Sequence, residues 1–193
     1  MSPRNPADDW IPATPQAITP VAATGRTDLR GKRVVVGLPG TGWRTDLRAD
    51  TPVNQASRTW VPVLTEHDWY RAEAEQTEVF APLIPIERVW LELPVPASGQ
   101  HPQDLFSRLV SMDAPPRREP VPVRECPSVT GRRLVWVEPD GERRDLRAVS
   151  EVYQNNDGDV CVRVAKELDW YRWAWAGQAP PTIEVPVFLL WME

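Results

Sequence analysis

The stretch Gly37-Leu38-Pro39-Gly40-Thr41-Gly42-Trp43-Arg44-Thr45 follows a valine-rich run and comes close to the phosphate-cradling loop G-x-x-x-x-G-K-[ST]. That loop needs a lysine to reach the terminal phosphates and a hydroxyl for Mg²⁺. Trp43 stands where the lysine belongs, and the following residues alternate as a strand instead of opening a helix, so the stretch is read as a turn. His67 beside Asp68 has the composition of a general base, but the other histidine, His101, lies in a different segment. Cys126 and Cys161 are not in C-x-x-C spacing, and no G-x-S-x-G elbow occurs. No catalytic residue, metal ligand or cofactor is assigned.

Aromatic and arginine side chains are the remaining candidates. Asp68-Trp69-Tyr70-Arg71 returns as Asp169-Trp170-Tyr171-Arg172, and the second copy adds Trp173 and Trp175. An aromatic exposed beside arginine suits stacking on a base, a peptide or a proline ligand. Read as strands, these stretches put Tyr171, Trp173 and Trp175 on one face. Arg44, Asp46 and Arg48 share a face by the same alternation, as do their counterparts Arg143, Asp145 and Arg147. They form either a charged recognition strip or a solvated face whose ion pairs contribute only ~0–1 kcal/mol each.

The elements that carry these residues are written twice. Gly31-Lys32-Arg33-Val34-Val35 matches Gly131-Arg132-Arg133-Leu134-Val135, and Arg44-Thr45-Asp46-Leu47-Arg48-Ala49 matches Arg143-Arg144-Asp145-Leu146-Arg147-Ala148. Ile84-Pro85-Ile86 faces Val185-Pro186-Val187, and Trp90-Leu91-Glu92 faces Trp191-Met192-Glu193. Order, spacing and residue type persist together, which marks an internal duplication. In the second copy the glycine-rich turn becomes Pro139-Asp140-Gly141-Glu142, a hairpin turn with no phosphate-binding character.

Short β-branched and aromatic runs predict five strands per copy, at about 33–38, 43–49, 59–65, 69–74 and 83–92 in the first, with Pro62 marking an edge. The expected fold is all-β: two tandem small five-stranded barrels, SH3-like or OB-like, at 29–93 and 129–193. Residues 1–28 read as a flexible proline-rich arm. Residues 94–128 read as a proline-rich linker with a short helix at about 102–112. A domain of roughly 65 residues buries only ~60% of its unfolded surface, so each copy needs apolar contacts beyond its own core.

Twenty-two prolines and ten tryptophans in 193 residues favour extended chain over long helices. The net charge of −5 works against binding to phosphate backbones. Residues 117–147 hold eight arginines against six acids, a thin excess for a phosphate track. Lys32 and Lys166 are the only lysines, and the arginine, alanine and proline bias resembles that of a high-GC bacterium or phage. Two cysteines make no disulfide framework. No apolar leader follows Met1 and no run of about 18 apolar residues occurs, so a cytoplasmic, membrane-free protein is expected.

The expected function is a non-catalytic protein-binding or assembly module, adaptor or structural, whose partner is another protein or itself. The alternatives are a nucleic-acid-associated accessory protein using exposed aromatic and arginine residues, and an enzyme of unrecognised type.

Overall fold

The structure is a computed structural model that describes residues 12–38, 42–95 and 114–193. The chain divides into two compact units, 16–118 and 119–193, with residues 12–15 grouping with the latter. Among the described residues each unit is a curled antiparallel sheet, a half-barrel, with one short α-helix.

In the first unit the strands are β1 (Ala17–Ala22), β2 (Arg33–Leu38), β3 (Gly42–Ala49), β4 (Val53–Gln55), β5 (Arg58–Thr65), β6 (Leu83–Pro85) and β7 (Val89–Val95). Helix α1 (Glu66–Glu75) lies between β5 and β6, and a turn of 3-10 helix (Ile86–Arg88) joins β6 to β7. The sheet order is β1-β7-β2-β3-β5-β4, with β6 also paired to β5. In the second unit the same sequence of elements recurs. It comprises β8 (Val121–Pro122), β9 (Arg133–Glu138), β10 (Gly141–Ala148), β11 (Tyr153–Gln154), β12 (Val160–Lys166), α2 (Glu167–Ala176), β13 (Ile183–Pro186) and β14 (Leu190–Met192). Its order, β11-β12-β10-β9-β14-β8 with β13 on β12, is the same topology. This architecture is compatible with the duplication. Among the described residues no helix is long and apolar enough to cross a membrane.

Several expectations are corrected. Each sheet has seven strands, not five. Residues 17–22, expected in a flexible arm, form β1 against β7, with Ala17 and Ile18 buried and Ala23, also expected in that arm, fully inside the core. An edge strand tolerates Pro20 because its missing N–H needs no second partner. Pro62 lies on no edge. It sits where bent β5 changes partners, between its pairing with β6 through Val61 and Pro62 and its pairing with β3 from Val63 onward. There the Pro62 carbonyl accepts the Asp50 N–H at 2.8 Å. The predicted helix at about 102–112, the extreme N-terminus through residue 11 and the tip of the glycine-rich turn lie outside the described residues.

The largest correction concerns Asp-Trp-Tyr-Arg, which is helical in both copies. Thr65 Oγ accepts the Asp68 N–H at 3.1 Å and donates to the Asp68 carboxylate at 2.7 Å. This is a capping interaction across Thr-x-x-Asp, and that hydroxyl bond is the main reason the Asp68 carboxyl sits below its ordinary range. Ala72, Glu73, Ala74 and Glu75 then continue as good helix formers. Gln76 and Gly177 end the two helices in the left-handed region, at φ 52° and 67°.

The core of each unit is aliphatic. Val34, Leu47, Val61, Val89 and Leu91 centre the first, and Leu134, Leu146, Val162, Val185 and Leu190 the second.

A candidate binding groove in the first unit

Where a regular strand would keep Arg44, Asp46 and Arg48 on one face, β3 places them on two. Asp46 takes φ 57°, and the β2–β3 register shifts between Val34 and Val36. Asp145 does the same at φ 60° in β10. An aspartate tolerates the left-handed region, and the extra residue of a bulge reverses the alternation beyond it. Arg44 pairs with Val36, whose side chain faces the core, whereas Arg48 pairs with Arg33 on the opposite face. Arg143 and Arg147 divide likewise, opposite Trp136 and Arg133. The expected charged strip is therefore not a strip.

On the outer face the helix covers the arginines. Glu66, 1% exposed, has Oε1 at 3.2 Å from Arg33 Nε and 3.7 Å from Arg48 Nε. Arg48 donates to the Tyr70 hydroxyl at 2.6 Å and to the Gly31 carbonyl at 2.8 Å. The second unit repeats this with Glu167, Arg133, Arg147, Tyr171 and the Gly131 carbonyl at 2.7–3.2 Å. Each cluster ties helix to sheet through a carboxylate shared by two guanidiniums, so Arg48, Tyr70, Arg147 and Tyr171 serve the frame. Trp69 is buried beneath Arg30, whose guanidinium lies 5.6 Å from the ring centroid. Trp170 packs edge-on against Tyr171 at 5.0 Å. Arg71 is exposed and pairs with Glu75, and Arg172 is exposed. On α2 the helical period separates Tyr171, buried, from Trp173, 42% exposed, while Trp175 is half-buried.

The inner face carries the groove. Two adjoining cavities, of about 370 and 280 Å³, share Val36, Arg44 and Ile84. The larger extends to Trp43, Pro85 and Arg88, the smaller to Phe80, Pro82 and Asp68. They lie along β6, which pairs with β5 on one side and has no other strand partner among the described residues. Gly37 is required here: a Cβ would come within 2.4 Å of the Gly42 carbonyl and 2.8 Å of the Trp43 ring. Without that Cβ, Trp43 lies across the hairpin and meets Trp90 edge-on at 6.4 Å.

The floor is thus aliphatic and aromatic, and the rim is cationic at Arg44 and Arg88 and acidic at Asp68. Arg44 and Arg88 are exposed, and neither makes a side-chain ion pair among the described residues. Phe80, 90% exposed, marks the far end of the groove. An apolar cleft with a few convergent polar groups has the general character of a ligand site. Of the binding residues expected from the sequence only Arg44 lines it; Gly37, Gly42 and Trp43 belong to the stretch read as a turn, and Asp68 to the pair with His67. Val36, Ile84, Phe80 and Arg88 carry no local signal, because nothing in the sequence shows that β6 leaves an edge open.

His67 lies on the first turn of α1 with Nδ1 at 3.2 Å from Asp68, whose carboxylate is already engaged by Thr65. Among the described residues no cluster of three or more His, Cys, Asp or Glu side chains is arranged to hold a metal. Comparison with family models, with curated proteins and with solved structures finds no match.

Proposed function

We propose that the protein is a non-catalytic binding or assembly module whose first unit receives an extended segment of a protein partner. The observation that carries this reading is the open groove along β6, apolar at its floor and bordered by Arg44 and Arg88. Unpaired strand edges beside apolar pockets are the usual landing sites for extended peptides. The curled sheets are read as small open barrels of the SH3-like or OB-like kind, which present such faces. The second unit gives the assembly a parallel scaffold, and linked units raise avidity when both engage. Cys126 and Cys161 are both free thiols, which supports a reducing, cytoplasmic setting.

The test is a pull-down with the intact protein from host lysate, half of it nuclease-treated, followed by identification of what is retained. The reading requires a protein partner that survives nuclease and is lost with Arg44→Glu, an exposed substitution that leaves the core untouched. Retention that depends on nucleic acid and is lost with Trp173→Ala would favour the accessory-factor alternative instead. Retention of the same partners by wild type and Arg44→Glu would remove the groove from the account.

A further inference from the structure

The duplication supplies a comparison inside one chain. Val36 pairs with Arg44 and Val89, and Trp136 pairs with Arg143 and Leu190. The two residues therefore hold the same place in the sheet and point to the same side. In the first unit that place borders the cavity between Val36 and Arg44. In the second it is filled by the Trp136 indole, packed on the core and covered by the Arg143 guanidinium 5.0 Å from its ring centroid. The indole N–H is buried without an acceptor among the described residues. Trp136 thus contributes its bulk to the core and its ring face to Arg143. Arg143 is in turn neutralised by Glu138. The first unit has Leu38 at that sequence position and so lacks this carboxylate. It also has Arg88 where the second unit has Leu189, which places one more cation beside the groove.

Resting on the binding reading above, we propose that the groove of the first unit accepts an extended peptide presenting an aromatic side chain next to carboxylates. These are the two groups that the second unit provides for itself through Trp136 and Glu138. The ring enters between Val36 and Ile84 under the Arg44 guanidinium, where cation–π attraction and apolar burial add. The carboxylates meet Arg44 and Arg88. The orientation is fixed by charge, because Asp68 lies toward the opposite end of the groove and repels a second acid there.

The intact protein is titrated with three acetylated and amidated hexapeptides, and the Trp43 indole N–H resonance is followed by NMR. The first carries one tryptophan followed by two glutamates. The second replaces the glutamates with lysines, and the third replaces the tryptophan with alanine. The first peptide is expected to shift the Trp43 signal and to bind at least about tenfold more tightly than either control. Arg44→Ala should bring its affinity down to that of the lysine peptide. Val36→Trp, which copies the second unit's filling, should abolish binding with the thermal midpoint retained. If Val36→Trp does not fold, Arg44→Ala decides alone. Equal binding of the glutamate and lysine peptides overturns this inference. A random-peptide display that enriches basic or purely aliphatic groove ligands does the same, and both results leave the binding module standing. If none of the three peptides moves the Trp43 signal and display yields no groove ligand, both readings fail.

Discussion

Glu167→Gln isolates the charge of a buried group while keeping its shape and one acceptor. Glu167 is fully buried, with Oε1 3.2 Å from Arg133 Nε and 2.9 Å from Arg147 Nε. Those arginine side chains are themselves 6% and 9% exposed. Removing the carboxylate charge leaves two cations facing each other across a neutral amide, with Arg147 still donating to the Tyr171 hydroxyl and the Gly131 carbonyl. Breaking a buried ion pair from one side costs about 3–5 kcal/mol. A unit of about 75 residues has a total stability of about 4–11 kcal/mol. The substitution should therefore consume a large part of the second unit's stability and lower its midpoint by more than about 10 °C. Urea unfolding followed by tryptophan fluorescence, together with calorimetry, measures the loss. Glu66→Gln is the internal control. Its arginines are each 12% exposed and its second contact is 3.7 Å, so its cost should be smaller. A loss below about 1 kcal/mol for Glu167→Gln, or a larger loss for Glu66→Gln, would show that these clusters are not desolvated anchors.

Three further outcomes are expected. The Glu151 carboxylate accepts the Val129 and Thr130 N–H groups and the Ser128 hydroxyl, and the Val129 bond is the leading cause that holds its pKa at about 2, below the ordinary 4.5. Because the folded value is the lower one, its contribution is complete above pH 4.5 and is lost as the pH falls toward 2. Glu151→Gln should flatten the stability profile in that window, as read by urea midpoints. Asp145→Val forces a β-branched residue into the left-handed region and should cost about 1–2 kcal/mol, whereas Asp145→Gly should cost less, both measured by chemical denaturation. Burial raises the thiol pKa of Cys161 above its ordinary value, as it does for Cys126. Cys161, 2% exposed, should therefore react with a thiol reagent only after denaturation, and rapid labelling of the native protein at that residue would contradict its placement.

What the sequence revealed follows from how local each signal is. The valine run of β2 and the alternation of β3 and β5 are carried by contiguous residues, and those strands appear close to where periodicity puts them. The tryptophan and tyrosine of Asp-Trp-Tyr-Arg favour strands on propensity alone, yet Thr65-Glu66-His67-Asp68 is a helix start and Gly177 a helix stop. Those signals were legible but were outweighed by the aromatics. The second copy obscured the first of them, because Lys166 provides no side-chain cap. Strand β1 was hidden by Pro20, which reads as a breaker until its edge position is known. The bulges at Asp46 and Asp145 could not be read, since one residue in the left-handed region leaves the residue pattern unchanged while reversing the faces beyond it.

Frame and site differ in what the two copies share. Residues that match between the copies, Arg48 with Arg147, Glu66 with Glu167 and Tyr70 with Tyr171, are buried or half-buried in one repeated ion cluster. Their match follows from a shared folding requirement: a carboxylate placed under the helix must be met by both arginines in either copy. A binding surface is under no such requirement to repeat. Val36 against Trp136 and Arg88 against Leu189 change bulk or charge at equivalent places of the same sheet topology, and Leu38 stands where the second copy has Glu138. One sheet thereby closes its inner face with its own ring and acid, while the other keeps a cavity and two exposed cations. In a duplicated chain, the positions where the copies disagree under a common backbone point to the ligand more directly than the positions where they agree.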